Sequence, residues 1–512
     1  MRIFWNLLGK RRPEFLSLLA LSSLASATEA LLHPLMLKWI FDQGVIAQDF
    51  QRFLFLSLGY LALGLVLVGL FYLLSLWRKA LSNRVILDLE GQLLQQSLLQ
   101  DWKSFQREGP GSFVSRIHRD TLEGFAPALN LVLSVVQQAL AALVFIGVLF
   151  YLSWQAALAL LLIAPPLVWV AQHIGKRVRK ATSEEREREA RFVQVLTQTL
   201  SAFRILRALV PLQPPTLATN RQALGAYLDS TYKNHQLLTL QQTWNDLFMN
   251  LANTLSLIVG GYFVLIRELT FGGFLAFVNA FWRAVGNIFS ILNTVPEFHR
   301  YAEILERIEA LASLTPTPYA RPSPVARVQN ARLSYDGKAV LDISRFEVRP
   351  GERLLLQGPN GSGKTSLLHI LSGYMAPDQG EVALPERVAS LTAPVELPPL
   401  PVKELIPDPA LREALGLAEV VDQDGETLSS GQKQKAAIGA LLSQEADLYI
   451  LDEPLANLDD QSKGKVMELI LKQTAGKTLL VVLHGEGEFH SRFDRTVNMV
   501  EMQGSALRNL VQ

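Results

Sequence analysis

Residues 358–365 read Gly-Pro-Asn-Gly-Ser-Gly-Lys-Thr. Gly358, Gly361 and Gly363 let a backbone wrap closely around an anion, because a residue without Cβ enters left-handed conformations at little cost. Asn360 and Ser362 stand between them, and Ser366 follows. Lys364 offers a mobile positive charge to the β and γ phosphates of a nucleotide, and Thr365 offers a hydroxyl to Mg²⁺. The flanks give the spacing its meaning. Arg353–Gln357 (RLLLQ) has the character of a buried strand, and SLLHILSGY after the loop that of a helix. Strand, glycine loop and helix in that order aim the helix's first N–H groups at a phosphate.

A second carboxylate-bearing group lies downstream. Leu448-Tyr-Ile-Leu predicts a buried strand that ends in Asp452 and Glu453. A strand end beside the phosphate loop would let Asp452 hold Mg²⁺ through water and Glu453 polarise an attacking water. His484 closes another apolar strand-like run (LLVVLH) and could reach the γ-phosphate. Together these residues predict binding and hydrolysis of a nucleoside triphosphate.

The rest of the chain must position this chemistry, and most of it is apolar. The chain has 512 residues, 48 Lys+Arg against 47 Asp+Glu, and no Cys. The balanced charge argues against a protein that coats nucleic acid. The lack of Cys excludes disulfides, Cys-ligated zinc, thiol catalysis and iron–sulfur clusters. Residues 124–175 contain no Asp, Glu, Lys or Arg, room for two spans of roughly 20 residues with a turn at Ser153–Gln155. Residues 53–77 and 247–266 form two more spans, and 15–40 and 275–296 two further ones interrupted by polar residues. The count is six.

Basic residues cluster in the N-terminal tail, between spans two and three, and after span four, which predicts that both termini are cytoplasmic in an inner membrane. Arg11–Arg12 before an apolar run imitates an export signal, but five spans follow it. Four Pro in residues 313–326 predict an extended linker. The expected organisation is a six-helix transmembrane domain over 1–312, a linker over 313–326 and an α/β nucleotide-binding domain over 327–512.

Leu428-Ser429-Ser430-Gly431-Gln432 resembles the LSGGQ signature of ABC ATPases, with Ser430 for a glycine. Tyr335, GPNGSGKT, LSSGQ, LYILDE, Asn457-Leu-Asp459 and His484 follow in that family's order. The membrane half is similar to the six-helix exporter type: Pro34 to Asp42, Gly111 to Asp120 and Tyr301 to Glu309 carry the likeness, with a second coupling helix expected near Ala202–Leu209.

The resemblance implies a polytopic α-helical membrane domain joined to an α/β P-loop ABC nucleotide-binding domain. It implies ATP and Mg²⁺ as cofactors, Tyr335 stacked on adenine, Asp459 in the D-loop and His484 as the switch histidine. It also implies a second half-transporter as partner in a lipid bilayer. Ser429 to Gln432 would then act on the partner's ATP, so the working unit is a homodimer or heterodimer.

This sequence departs from the family at Ala393, where a glutamine is usual. One reading is drift, with water completing the metal shell; the other is an unequal half of a heterodimer. Ser430, and Ala440 near a family arginine, add slightly to the second. A membrane-anchored ATPase without cargo is a further alternative.

Charges inside a bilayer usually face a cavity or a partner. Glu29 and His33 share a face of span one. Gln242, Asp246, Asn250 and Asn253 stripe span five, and Asn279, Arg283 and Asn287 stripe span six. A substrate cavity lined by spans one, five and six, including Glu29, His33, Asp246, Asn250 and Arg283, is one expectation. Pairing between helices, for example Asp246 with Arg283, is the other. Mixed charge suggests an amphipathic cargo such as a peptide or lipid-like molecule.

Overall fold

A computed structural model describes residues 2–161, 164–314, 320–335, 338–483 and 487–504. The chain forms two compact units, residues 1–94 with 114–312, and residues 95–113 with 313–512.

Length and apolarity shape the first unit. Its long helices are α1 (Arg12–Trp39) and α2 (Phe50–Ser97), which runs on into the second unit. A short helix, α3 (Trp102–Glu108), belongs to the second unit. The first unit resumes with α4 (Ala126–Leu152), α5 (Ala164–Ser201), the short α6 (Phe203–Ala208), α7 (Gln213–Leu265) and α8 (Phe271–Ala312). Among the described residues, five helical runs are long and apolar enough to cross a membrane: Arg2–Val45, Phe50–Ser97, Pro110–Leu152, Val210–Leu265 and Phe271–Leu292. The remaining expected span crosses residues 162–163, which lie outside the described residues.

The turn expected at Ser153–Gln155 is where α4 ends, with Ser153 extended and its hydroxyl accepting from the N–H of Ala156. Helix α2 turns its apolar side chains outward: Phe55 is 77% and Val68 68% exposed. Such a surface suits lipid tails, and a helix satisfies its own backbone there. α8 packs along α4 and α1, while α7 packs chiefly along α5. The end of α1 is tied to the start of α8 through Asp42, which accepts from Lys38 Nζ, Thr270 Oγ1 and the N–H of Gly272 at 2.7–2.9 Å.

The second unit holds two sheets. β1 (Ala320–Pro322), β2 (Ala326–Tyr335), β3 (Lys338–Val348) and β5 (Gln379–Leu384) form one, in the order β1-β5-β2-β3. The end of the Pro-rich stretch is thus a strand, paired parallel to β5. The other sheet is parallel throughout. It orders β6 (Val388–Leu391), β7 (Leu448–Asp452), β8 (Thr478–Val482), β4 (Arg353–Gln357) and β9 (Arg495–Asn498) as β6-β7-β8-β4-β9. β7 is buried at all five positions, the continuous apolar pattern of a strand covered on both faces. Around the sheets lie α9 (Lys364–Leu371), α10 (Ser430–Leu442) and α11 (Asp460–Gln473).

Residues 95–113, expected with the membrane half, cluster here because Trp102 gives them an anchor. Its ring packs against the core built by Leu367, Leu371 and Met375, and meets His369 of α9 edge-on with centroids 5.4 Å apart.

Candidate functional site

The phosphate loop closes between β4 and α9. Gly358, Gly361 and Gly363 have φ of 152°, 80° and 88°. At Gly363 a Cβ would also come within 2.9 Å of the Val340 carbonyl oxygen, so space and conformation both require glycine. Asn360, Gly361 and Thr365 are exposed, while Ser362 and Lys364 are buried. Lys364 Nζ donates to the loop's own carbonyls, Gly358 O at 2.8 Å and Pro359 O at 3.0 Å. The Ser362 hydroxyl oxygen is buried with no hydrogen-bond partner. An ammonium turned onto its own loop, an orphaned hydroxyl and the first N–H groups of α9 form an anion receptor, and they fit a nucleotide phosphate.

Asp452 ends β7, and its Oδ2 accepts from Thr365 Oγ1 at 3.4 Å. In the parallel sheet β8 lies between β7 and the loop strand β4. The carboxylate nevertheless reaches Thr365 across the intervening strand end. Burial first, then the adjacent Glu453 charge, pushes the Asp452 carboxyl up to about 6. Burial also lowers the Lys364 ammonium, against the pull of Asp452 and Glu453. Thr365 and Asp452 are an oxygen pair that fits Mg²⁺, which keeps several waters and needs few protein ligands.

Glu453 holds a left-handed backbone, φ 49°. Gln434, buried in α10, secures that turn by donating to the Glu453 and Pro454 carbonyls at 3.3 and 3.0 Å. His484 lies outside the described residues.

Tyr335 ends β2, and its hydroxyl donates to Met375 Sδ at 3.2 Å. A cavity of about 800 Å³ is lined by Tyr335, Thr365 and Ser366 together with Lys103 and Arg107 of α3. Lys103 Nζ lies 5.8 Å from the Tyr335 ring centre and donates to Asp378 at 2.8 Å.

Ser429 caps α10 in a reciprocal box: its hydroxyl accepts from the Gln432 N–H at 3.3 Å, and its own N–H donates to Gln432 Oε1 at 3.0 Å. Ser429 and Ser430 are exposed, so the helix start is open to a ligand from outside the chain. A Cβ at Gly431 would approach the Asn457 carbonyl oxygen to 3.1 Å, whereas Ser430 stands in the open. Asp459 caps α11 by accepting from the Ser462 N–H and hydroxyl, each at 2.8 Å, and the hydroxyl bond leads in holding its carboxyl below the ordinary range.

Ala393 follows β6, where the parallel pairing of Leu391 with Leu451 brings it beside Asp452.

In the first unit, Arg283 Nη1 donates to Glu29 Oε1 at 2.9 Å, and Arg283 Nη2 lies 3.3 Å from His33 Nε2. The Tyr60 hydroxyl meets the His33 ring at 2.6 Å. A cavity of about 360 Å³ adjoins Glu29 and Arg283 between α1, α4 and α8. Asp246 and Asn250 are exposed on α7 and do not line it. The expected wall from span five is therefore replaced by span three, because Arg283 faces α1 and α4. The signal for span three is its own stripe, Asn130, Ser134, Gln137 and Gln138, which a search for charges passes over.

Gln503 also escapes a motif search. Its side chain accepts from the Asp342 N–H at 2.9 Å and donates to the Ser362 carbonyl at 2.8 Å, bracing the phosphate loop.

Residues 15–285 match the family described as ABC transporter transmembrane region, and residues 341–396 and 409–456 match that described as ABC transporter. An ATP-dependent lipid A-core flippase of Burkholderia pseudomallei (strain 1710b) is 25% identical, covering 91% of this chain and 85% of the relative. One of Polaromonas sp. (strain JS666 / ATCC BAA-500) is 25% identical over 94% of this chain and 88% of its own length. The uncharacterized ABC transporter ATP-binding protein YwjA of Bacillus subtilis (strain 168) is 21% identical over 90% and 88%. The chain belongs to the ABC transporter family, as an exporter-type half-transporter that joins a membrane-embedded helical region to an ATPase coupled to transport.

Proposed function

We propose that this chain is one half of a dimeric exporter in a cytoplasmic membrane, moving an amphipathic, lipid-like cargo by alternating access. The observation that carries the reading is the 3.4 Å approach of Thr365 to Asp452 beside the phosphate loop, with Ser429 opening a capped helix start to the outside. ATP would lie on Lys364 and the loop N–H groups, with Tyr335 against adenine. Thr365 and Asp452 would hold Mg²⁺, whose charge offsets that of the phosphates. Glu453 would polarise the attacking water, with His484 beside the γ-phosphate. Ser429, Ser430, Gly431 and Gln432 would donate to the ATP of the partner half, so that ATP joins the two halves and hydrolysis releases them. Asp459 would set the loop between the two sites.

The basic residues of the N-terminal tail and of the loops after spans two and four support cytoplasmic termini. The lipid A-core flippases among the relatives, and the mixed-charge cavity, support an amphipathic cargo. The cavity residues of this reading are Glu29, His33 and Arg283. Ala393 favours a second reading, in which this chain is the unequal half of a heterodimer.

The test is Glu453→Gln. The variant should bind ATP and accumulate as a closed, nucleotide-bound dimer with turnover lost; normal turnover would reject Glu453 as the group that activates water.

A further inference from the structure

Asp452 and Glu453 are consecutive at the end of β7. In an extended chain successive side chains leave on opposite faces, so adjacent carboxylates would not share a site. Here they do: the Glu453 charge acts on both the Asp452 carboxyl and the Lys364 ammonium. The left-handed backbone of Glu453, φ 49°, breaks the alternation. A residue with a Cβ keeps that conformation only where its surroundings impose it.

The turn's own backbone supplies part of the constraint. The Glu453 N–H donates to the Val482 carbonyl of β8 at 3.0 Å, and its carbonyl accepts from the Ala456 N–H at 3.1 Å. The rest comes from α10. Gln434 is 3% exposed and turns its amide nitrogen onto successive carbonyls, those of Glu453 and Pro454. An amide NH2 has a proton for each acceptor, and it fixes the peptide planes on either side of Pro454. The same face of α10 seats the loop's other left-handed residue. Asn457, φ 61°, places its carbonyl oxygen 3.1 Å from where a Cβ of Gly431 would stand. Gly431 and Gln434 are neighbours on that face by their i, i+3 spacing. The start of the same helix, at Ser429 and Ser430, is open to the outside.

We infer that Gln434 is a positioning residue for hydrolysis: it holds the turn that aims Glu453 at the phosphate loop, and it makes that aim depend on the helix capped by Ser429. The inference rests on the reading of Glu453 as the group that polarises water. It adds that ATP binding and dimer closure do not need Gln434, whereas the hydrolytic step does.

The experiment uses the full chain in lipid nanodiscs. Gln434→Met keeps the volume of the side chain and removes its donors. Its kcat for ATP should fall about tenfold or more, with half-saturating ATP within about twofold of the parent, and the closed, nucleotide-bound dimer should accumulate. Gln434→Met added to Glu453→Gln should leave the residual turnover unchanged, because a residue that acts through Glu453 then has nothing to position. Gln434→Glu keeps the shape of the parent side chain. Its protonated carboxyl donates a hydrogen bond and its carboxylate does not, so turnover relative to the parent at the same pH should rise as pH falls from about 8 to about 6. A parent-like kcat in Gln434→Met, ATP binding weakened as much as turnover, a further loss in the double variant, or a flat ratio across pH would each overturn the inference. Failure of the reading beneath it is separate: Glu453→Gln would then turn over normally, whatever Gln434 does.

Discussion

The backbone N–H of Trp102 donates to the carbonyl of Tyr374 at 2.8 Å. This bond, with the Trp102 ring against His369, fastens α3 to the far end of the helix that starts at the phosphate loop. Helix α2, on one side of α3, and the segment leading to α4, on the other, continue into the membrane region. Movement of α9 on nucleotide binding would therefore be felt by both. Trp102→Ala keeps the backbone bond but removes the half-buried ring and the apolar contact it makes with the core of the second unit. The expected outcome is an uncoupled protein: basal ATPase persists while cargo stimulation and transport into vesicles are lost. Full stimulation in the variant would remove α3 from the coupling path.

Asp452 predicts a pH dependence. Its carboxyl is raised from 3.8 to about 6, by burial first and by Glu453 second. The folded chain therefore holds this proton more tightly than the unfolded chain does, and its stabilising contribution is complete below pH 3.8 and lost as pH rises through about 6. Ligation of Mg²⁺ needs the carboxylate. ATP affinity in excess Mg²⁺ should fall by up to about tenfold per pH unit below 6, relative to affinity in EDTA at the same pH. Asp452→Asn should abolish that difference between the two titrations.

Gln503 predicts a split between stability and binding. Gln503→Ala leaves the Asp342 N–H and the Ser362 carbonyl without their partner, at a cost of about 1–3 kcal/mol for each buried group. Gln503→Glu keeps the acceptor for Asp342 but buries a charge and turns a carboxylate oxygen onto the Ser362 carbonyl. Thermal unfolding should therefore drop at least as far in the glutamate variant as in the alanine variant, while both bind ATP more weakly. An unfolding midpoint in the alanine variant equal to that of the parent chain would show that the two bonds contribute little.

Local pattern carried much of this structure in advance. The apolar runs at Arg353–Gln357 and Leu448–Asp452 are short, uninterrupted and bounded by glycine or carboxylate, so each is a strand in the place expected. Ser429 and Gln432 announce a helix start by their spacing, and they form its capping box. Long-range placement was hidden. That β8 separates β7 from β4 follows from chain crossover, which no local window records. The partner of Arg283 was equally hidden, since helical periodicity says which residues share a face but not which neighbour that face meets. Gln137 and Gln138 lacked charge, and Trp102 lacked a motif, so neither stood out in the sequence.

Ala393 carries the last prediction. It follows β6, whose pairing of Leu391 with Leu451 carries the chain past Asp452, at the position where the family's glutamine is usual. Ala393→Gln adds an amide oxygen on a flexible stem beside the carboxylate that would hold Mg²⁺. The variant should lower the Mg²⁺ concentration for half-maximal ATPase and raise stimulation by cargo. Its ATP affinity in EDTA should stay that of the parent chain, because the phosphate loop is untouched. Titrations that coincide in Mg²⁺ would mean that water already completes the metal shell, which removes the ground for an unequal half. An octahedral ion that keeps several waters makes that result physically coherent, so Mg²⁺ dependence, rather than loss of activity, separates the two readings.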